Sequence, residues 1–254
     1  MPTPFTHLAY AQRLLADDGL PEGVRHLLHS ERPAFLLGSI AADAQTIHGL
    51  NREITHFYSY DQPLEIPPYQ IMLAKHAELA TAALPSQRAF VAGYVFHLSI
   101  DEIWSVQMIH PYFVTAQWGS KLDRFLGLQL LLITMDERDQ ISLSAETVQA
   151  LAHSQPVEWL PFLDDAKLVA WRDLIARQLA PNGHIQTLDI VSERAPAALA
   201  LTPEVLRKML DSQAVMKRAL WSHLPESALV EVEKQMYELS RQRLNDILAQ
   251  SLLA

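Results

Sequence analysis

Apolar side chains recur every three or four positions almost throughout this chain, while β-branched alternation over five or more residues is hard to find. A chain patterned this way buries its apolar surface by packing helices rather than by forming a sheet. The predicted fold class is therefore all-α. No repeat, low-complexity tract or linker divides the sequence, so residues 1–254 are read as a single multi-helix domain.

Cap and breaker residues place the elements. A first helix runs from Thr6 or His7 to about Asp17 and is ended by Gly19, and Pro21 opens a second that runs toward His29. A short apolar segment, 33–40, follows. Residues 41–68 hold Gly49, Asn51, Pro63, Pro67 and Pro68 with little periodicity, which predicts a long loop of the functional kind. Helices are expected over 69–83 and 85–109, the second closed by His110-Pro111, and then over 121–135, 144–153 and 164–179. Two longer amphipathic helices, 203–221 and 225–253, complete the chain. The apolar stripe of the last, with Leu229, Val232, Met236, Leu239 and Ile247, suits either the core or a homodimer contact.

Composition then limits the chemistry. The chain has no cysteine, which removes disulfides, thiolate zinc sites, iron–sulfur clusters and a cysteine nucleophile, so a transition metal must sit on imidazole and carboxylate. A formal net charge of −9 disfavours nucleic acid as a partner, because affinity for the phosphate backbone comes largely from Lys and Arg. The longest apolar run, 125–134, is far short of the roughly 20 residues of a spanning helix. Peripheral contact with a lipid surface stays open. Met1-Pro2-Thr3-Pro4-Phe5-Thr6 shows no basic-led apolar leader, which predicts a cytoplasmic protein.

Eight of the 11 histidines lie within the first 110 residues. The most informative segment there is Ala89-Phe-Val-Ala-Gly-Tyr-Val-Phe-His97-Leu-Ser-Ile-Asp101-Glu-Ile-Trp. His97 and Asp101 stand at i and i+4, so they project from one helix face, where they form either a metal pair or a buried histidine bonded to its acid. Gly93, one turn earlier, costs roughly 1 kcal/mol against alanine, which implies that a backbone or a bound group comes close there. His7 stands in the first turn of the first helix, Asp43 ends an apolar segment, and His56 lies among aromatics in the long loop.

The order His7, Asp43, His56 and His97-x3-Asp101 resembles the zinc-dependent phospholipase C family, all-α phosphodiesterases related to the bacterial phosphatidylcholine-cleaving enzymes and, more distantly, to single-strand-specific nucleases. The matching pieces are Thr6-His7-Leu8-Ala9, Phe35-Leu-Leu-Gly-Ser-Ile-Ala-Ala-Asp43, Thr55-His56-Phe57 and Gly93-Tyr-Val-Phe-His97-Leu-Ser-Ile-Asp101, all within about the first 115 residues. The resemblance implies a zinc bound by Asp43, His56, His97 and Asp101, with His7 helping to hold a second ion bridged by Asp101. It also implies Asp43 as general base and attack by a zinc-bound hydroxide on a phosphodiester or lipid head group. Arg52 is a candidate contact for the substrate phosphate.

The sequence departs from the family's pattern in three places. No histidine is followed four residues later by Glu, a pair the family uses for a further zinc; His110 with Glu102 or Asp123 is the available substitute, and Glu102 otherwise supports the ligands from behind. The family also uses a mature amino-terminal residue as a ligand, and here His7 is preceded by six residues. Ala42 stands where the family places proline before the aspartate. These gaps leave a second class of function open, a zinc-binding structural or interaction protein without catalysis.

Overall fold

A computed structural model describes residues 1–59 and 64–252, with side chains through 249. Among the described residues there are helices and connecting turns and no strand. None of the helices is long and apolar enough to cross a membrane. The helices are α1 (Pro4–Leu15), α2 (Glu22–Ser30), α3 (Arg32–Ala41), α4 (Gln45–His48), α5 (Arg52–His56), α6 (Pro68–Lys75) and α7 (Pro85–Trp104). They continue with α8 (Lys121–Ser142), α9 (Ala145–Ala152), α10 (Asp165–Leu179), α11 (Thr187–Arg194), α12 (Pro203–Leu210), α13 (Gln213–Met216) and α14 (Glu226–Leu252).

The centre of the molecule is α7. Its residues from Ala89 through Asp101 are all buried, as expected of a helix apolar on every side. It packs between α3 and α14, while α1 lies against α3 and α8. The α3–α7 contact is backbone against backbone. A Cβ at Gly38 would lie 2.0 Å from the carbonyl oxygen of Phe90, and one at Gly93 would lie 2.3 Å from that of Phe35 and 2.8 Å from the amide nitrogen of Ser39. The group that comes close to Gly93 is thus the backbone of α3, and Gly38 is its counterpart.

Of the apolar stripe of α14, Leu229, Val232 and Met236 are buried while Leu239 and Ile247 are half-buried against the core, and α14 packs on α7. Glu102 completes this contact through a bidentate pair with Arg243, at 2.7 and 2.9 Å. The stripe therefore contributes mainly to the core.

Several boundaries differ from the sequence reading. Helix α1 begins at Pro4, so His7 is a full turn inside it and fully buried rather than at an exposed end. The expected long loop is instead built of a 3-10 turn at Ala42–Ala44 and the short helices α4 and α5. Gly49, at φ 61°, ends α4, and the Asn51 side chain caps α5 by accepting from the Glu53 amide at 3.1 Å. Pro63, also assigned to that loop, lies outside the described residues, as does Leu253 at the end of the last helix.

His110-Pro111 does not stop the chain from winding. After Trp104 the helix widens to π geometry over Ser105–Val114, closing with Thr115 N–H donating to the His110 carbonyl at 2.9 Å. Helix α8 runs seven residues past its expected end at Met135, from a Ser120/Asp123 capping box at its start. The expected helix over 203–221 is broken at Asp211-Ser212, and α11 was not foreseen.

Asp136 of α8 fixes where α1 begins. It is 1% exposed and accepts hydrogen bonds from Thr3, just before α1, and from Thr187, at the start of α11. Burial pushes its pKa up to about 6, against the pull of the Thr187 and Thr3 hydroxyls and with help from Asp139 and Glu137.

Two outcomes follow from this packing. Gly93→Ala forces a methyl into the α3 backbone and should cost about 3 kcal/mol or more in chemical denaturation, whereas Gly49→Ala, with open space around it, pays only the left-handed strain. Because the folded pKa of Asp136 is raised, its contribution is most favourable below about pH 4 and is lost as pH rises through about 6. Wild type should lose up to about 3 kcal/mol of stability across that window relative to Asp136→Asn, measured as urea midpoints at pH 4 and pH 7.

Candidate metal centre

Four segments of the first half of the chain meet at one point inside the core. His7 comes from α1, Asp43 from the turn after α3, His56 from the last position of α5, and His97 and Asp101 from α7. His7, His56, His97 and Asp101 are all 0% exposed, and Asp43 is 7% exposed.

The distances form one network. His7 Nε2 lies 3.3 Å from Asp101 Oδ1, while His56 Nε2 and His97 Nε2 lie 3.4 and 3.6 Å from Asp101 Oδ2. His56 Nε2 is also 3.4 Å from Asp43 Oδ1 and 3.4 Å from His97 Nε2. The His7 and His97 rings stack with centroids 3.8 Å apart. Two groups of three donors result, His7–His97–Asp101 and Asp43–His56–His97, and each can hold a metal ion.

Two of the three rings, those of His97 and His56, are held from behind. The Ser39 carbonyl, carried toward α7 by the glycine contact, accepts from His97 Nδ1 at 2.9 Å. Thr55 Oγ1 donates to the Arg52 carbonyl at 3.3 Å, so its lone pair accepts from His56 Nδ1–H at 3.0 Å. Both histidines are thereby set to present Nε2 inward, the arrangement that outer partners impose on metal-binding imidazoles. The Tyr94 hydroxyl ties α5 to α7 by donating to the Thr55 carbonyl at 2.7 Å. Phe57, left-handed at φ 62°, turns the chain sharply after His56. On the other side, the Trp171 indole donates to the Ile40 carbonyl at 2.8 Å and holds the end of α3 that leads to Asp43. Ala42 sits at φ −62°, the value a proline would impose, so the turn forms without one.

The polar atoms of this cluster are not satisfied by one another. His7 Nε2 and Asp101 Oδ1 are buried and close, yet neither has a hydrogen-bond partner. The inward Nε2 atoms of His56 and His97 face each other at 3.4 Å, a spacing that a proton or a metal ion can bridge. An orphaned buried pair beside two facing imidazole nitrogens fits a cation-binding site.

The charges agree with this. For Asp43, burial works against ionisation, but pairing with His56 and the charges of His97 and His56 outweigh it and hold the pKa at about 2. Burial likewise opposes ionisation of Asp101, and His97, His56 and His7 together bring it well below the ordinary carboxylate range. His97 is desolvated, yet Asp101, Asp43 and the Ser39 carbonyl keep its pKa above the ordinary value. His7 goes the other way: burial, reinforced by His97, pushes it down to about 4.

Arg52 is part of the cluster. Its guanidinium donates to Asp101 Oδ2 at 2.7 Å and to the Tyr58 hydroxyl at 3.0 Å, and its side chain is 18% exposed. Glu102 and His110 are not brought in. Glu102 is held by Arg243, His110 is exposed on the π-helical segment, and Asp123 is committed to its capping box. Tyr58, two residues past His56, and Met1, whose sulfur accepts from Tyr58 at 3.6 Å, were not singled out from sequence. The Met1 amino group is buried beside Asp101, Arg52 and Asp43, and burial lowers its pKa. No periodicity or motif marks either residue.

No family model, curated protein or solved structure matches the chain, so the centre is argued from its own geometry.

The outer partner of His56 gives a direct test. Thr55→Val keeps the shape but removes the acceptor at Nδ1, and should weaken divalent-metal affinity by about 10- to 100-fold in competition titrations with a chromophoric chelator. An unchanged affinity would show that the Thr55 hydroxyl does not orient the ring.

Proposed function

We propose that this protein is a zinc-dependent hydrolase of phosphoric esters, similar to the zinc-dependent phospholipase C family, acting on a phosphodiester or a lipid head group. The observation that carries the reading is the convergence of His7, Asp43, His56, His97 and Asp101, from four separate segments, on one buried point. Three imidazoles and two carboxylates are a donor set of the kind zinc takes in a protein without cysteine. A bound zinc ion supplies Lewis acidity toward a phosphoryl oxygen and lowers the pKa of water.

The residues of the chain divide the remaining work. Asp43 lies at the rim of the cluster, with its side chain 10% exposed where the Asp101 side chain is fully buried. With its pKa held at about 2 it is ionised at neutral pH, so a carboxylate oxygen there can take the proton of an attacking water. Arg52, bonded to Asp101 and with its side chain 18% exposed, can bring positive charge toward the phosphoryl oxygens. His97 and Asp101, fixed on the rigid central helix, hold the site in place.

A second reading is a metal centre that holds the fold together without catalysis. It is favoured by the complete burial of His7, His56, His97 and Asp101.

The two readings are separated by assaying a chromogenic phosphodiester, bis(4-nitrophenyl) phosphate, over a range of added zinc, alongside metal content by elemental analysis. The hydrolase reading expects zinc-dependent turnover that falls at least 100-fold in Asp43→Asn, in line with loss of a general base. His97→Ala and Asp101→Ala should each be purified without metal. Tightly held zinc with no turnover on a panel of phosphodiesters would establish the structural reading, and full zinc content in folded His97→Ala would remove the centre itself.

A further inference from the structure

The two donor triads have one atom in common, and that atom limits how many ions the centre can hold. His97 belongs to both His7–His97–Asp101 and Asp43–His56–His97. Its Nδ1 is engaged with the Ser39 carbonyl, so only Nε2 is left, with a single lone pair in the ring plane. A neutral imidazole bound through one nitrogen serves one metal. The two triads therefore cannot both be filled, and an ion held by Asp43, His56 and His97 leaves His7 Nε2 and Asp101 Oδ1, 3.3 Å apart, outside its donor set.

Charge points the same way. Asp101 is the carboxylate placed to bridge two ions, with Oδ1 toward His7 and Oδ2 toward His56 and His97. Its Oδ2 already accepts from the Arg52 guanidinium at 2.7 Å. Arginine cannot shed its proton inside a protein, so this positive charge is permanent. Among the described residues, the two carboxylates and Arg52 sum to a single net negative charge when the histidines and the buried Met1 amino group are neutral. One divalent ion turns that into a single positive charge, which an anionic substrate can offset. A second ion would leave three positive charges in a site whose histidines and Asp101 are fully buried.

We propose that the centre is mononuclear, with Arg52 fixed where it neutralises Asp101 and takes the place of a second cation. This rests on the metal-centre reading above and departs from a two-ion arrangement bridged by Asp101. Arg52 then supplies the phosphoryl group with the charge that a second ion would bring.

The test is zinc titration of the intact protein followed by native mass spectrometry, with dissociation constants from chelator competition. Wild type should saturate at one zinc per chain. His97→Ala, which breaks both triads, should hold none, while His7→Ala should keep one. Arg52→Met, which removes the charge and keeps most of the shape, should bind its single zinc at least tenfold more tightly, and Arg52→Lys should stay near wild type. Circular dichroism of each variant identifies any that fail to fold, and the wild-type count stands without them. Two zinc ions on wild type, loss of the ion in folded His7→Ala, or weaker binding in folded Arg52→Met would overturn the mononuclear assignment while leaving a metal centre in place. No zinc on wild type would overturn the metal reading together with it.

Discussion

The backbone contact between Gly38 of α3 and Gly93 of α7 is the constraint on which the centre depends. Two helices crossing without side chains between them approach more closely than ridges-into-grooves packing allows. That approach presses the carbonyl of Ser39, next to Gly38, onto Nδ1 of His97, one turn beyond Gly93. The hydrogen bond chooses the tautomer, so the inward direction of His97 Nε2 is set by a packing distance rather than by its own rotamer. With α3 held there, its C-terminal end delivers Asp43 to the same point, and Trp171 of α10 locks that end by its bond to Ile40. A methyl at either glycine would separate the helices and misplace two ligands together.

Around this contact the molecule tolerates an arrangement that packing alone would reject. Three imidazoles, two carboxylates and a guanidinium share the interior of an apolar bundle, where each unpaired charge is costly. Part of that cost is met inside the cluster, by Arg52 on Asp101 and by the backbone and hydroxyl groups behind His97 and His56. The rest is not met, because His7 Nε2 and Asp101 Oδ1 are left without partners. Buried polar atoms without partners occur elsewhere too, Trp104 Nε1 and Ser240 Oγ among them, but here they coincide with a cluster of imidazoles and carboxylates, and such places are where function is sought. The ionic contacts elsewhere are of a different kind: Glu102–Arg243 is a bidentate clamp between α7 and α14 and meets ordinary structural needs.

Much of this was legible in the residues. The three- and four-residue periodicity gave an all-helical chain, the i and i+4 spacing put His97 and Asp101 on one face, and the cost of a mid-helix glycine pointed to a close approach at Gly93. Absence of cysteine confined any transition metal to nitrogen and oxygen donors. Boundaries were less legible, because they turn on capping and on tertiary cover. Thr3 spends its hydroxyl on Asp136 instead of capping α1, and the weakly periodic stretch after Ala41 folds into short helices because Gly49 and Asn51 end one and begin the next. Pro111 does not end its helix, which continues in the wider π geometry through Val114.

What the sequence by itself determined is the class of fold and the chemical type of the site, since periodicity and donor identity are properties of single residues and their near neighbours. Which of the candidate donors meet, and which nitrogens of His56 and His97 face inward, were decided only by tertiary structure. Those properties depend on contacts between residues tens of positions apart: Ser39 with His97, Arg52 with Asp101, Tyr94 with Thr55. The histidine at position 110 and the acid at 102 are the same residue types as the ligands. They stand outside because the chain carries His110 to the surface and pairs Glu102 with Arg243.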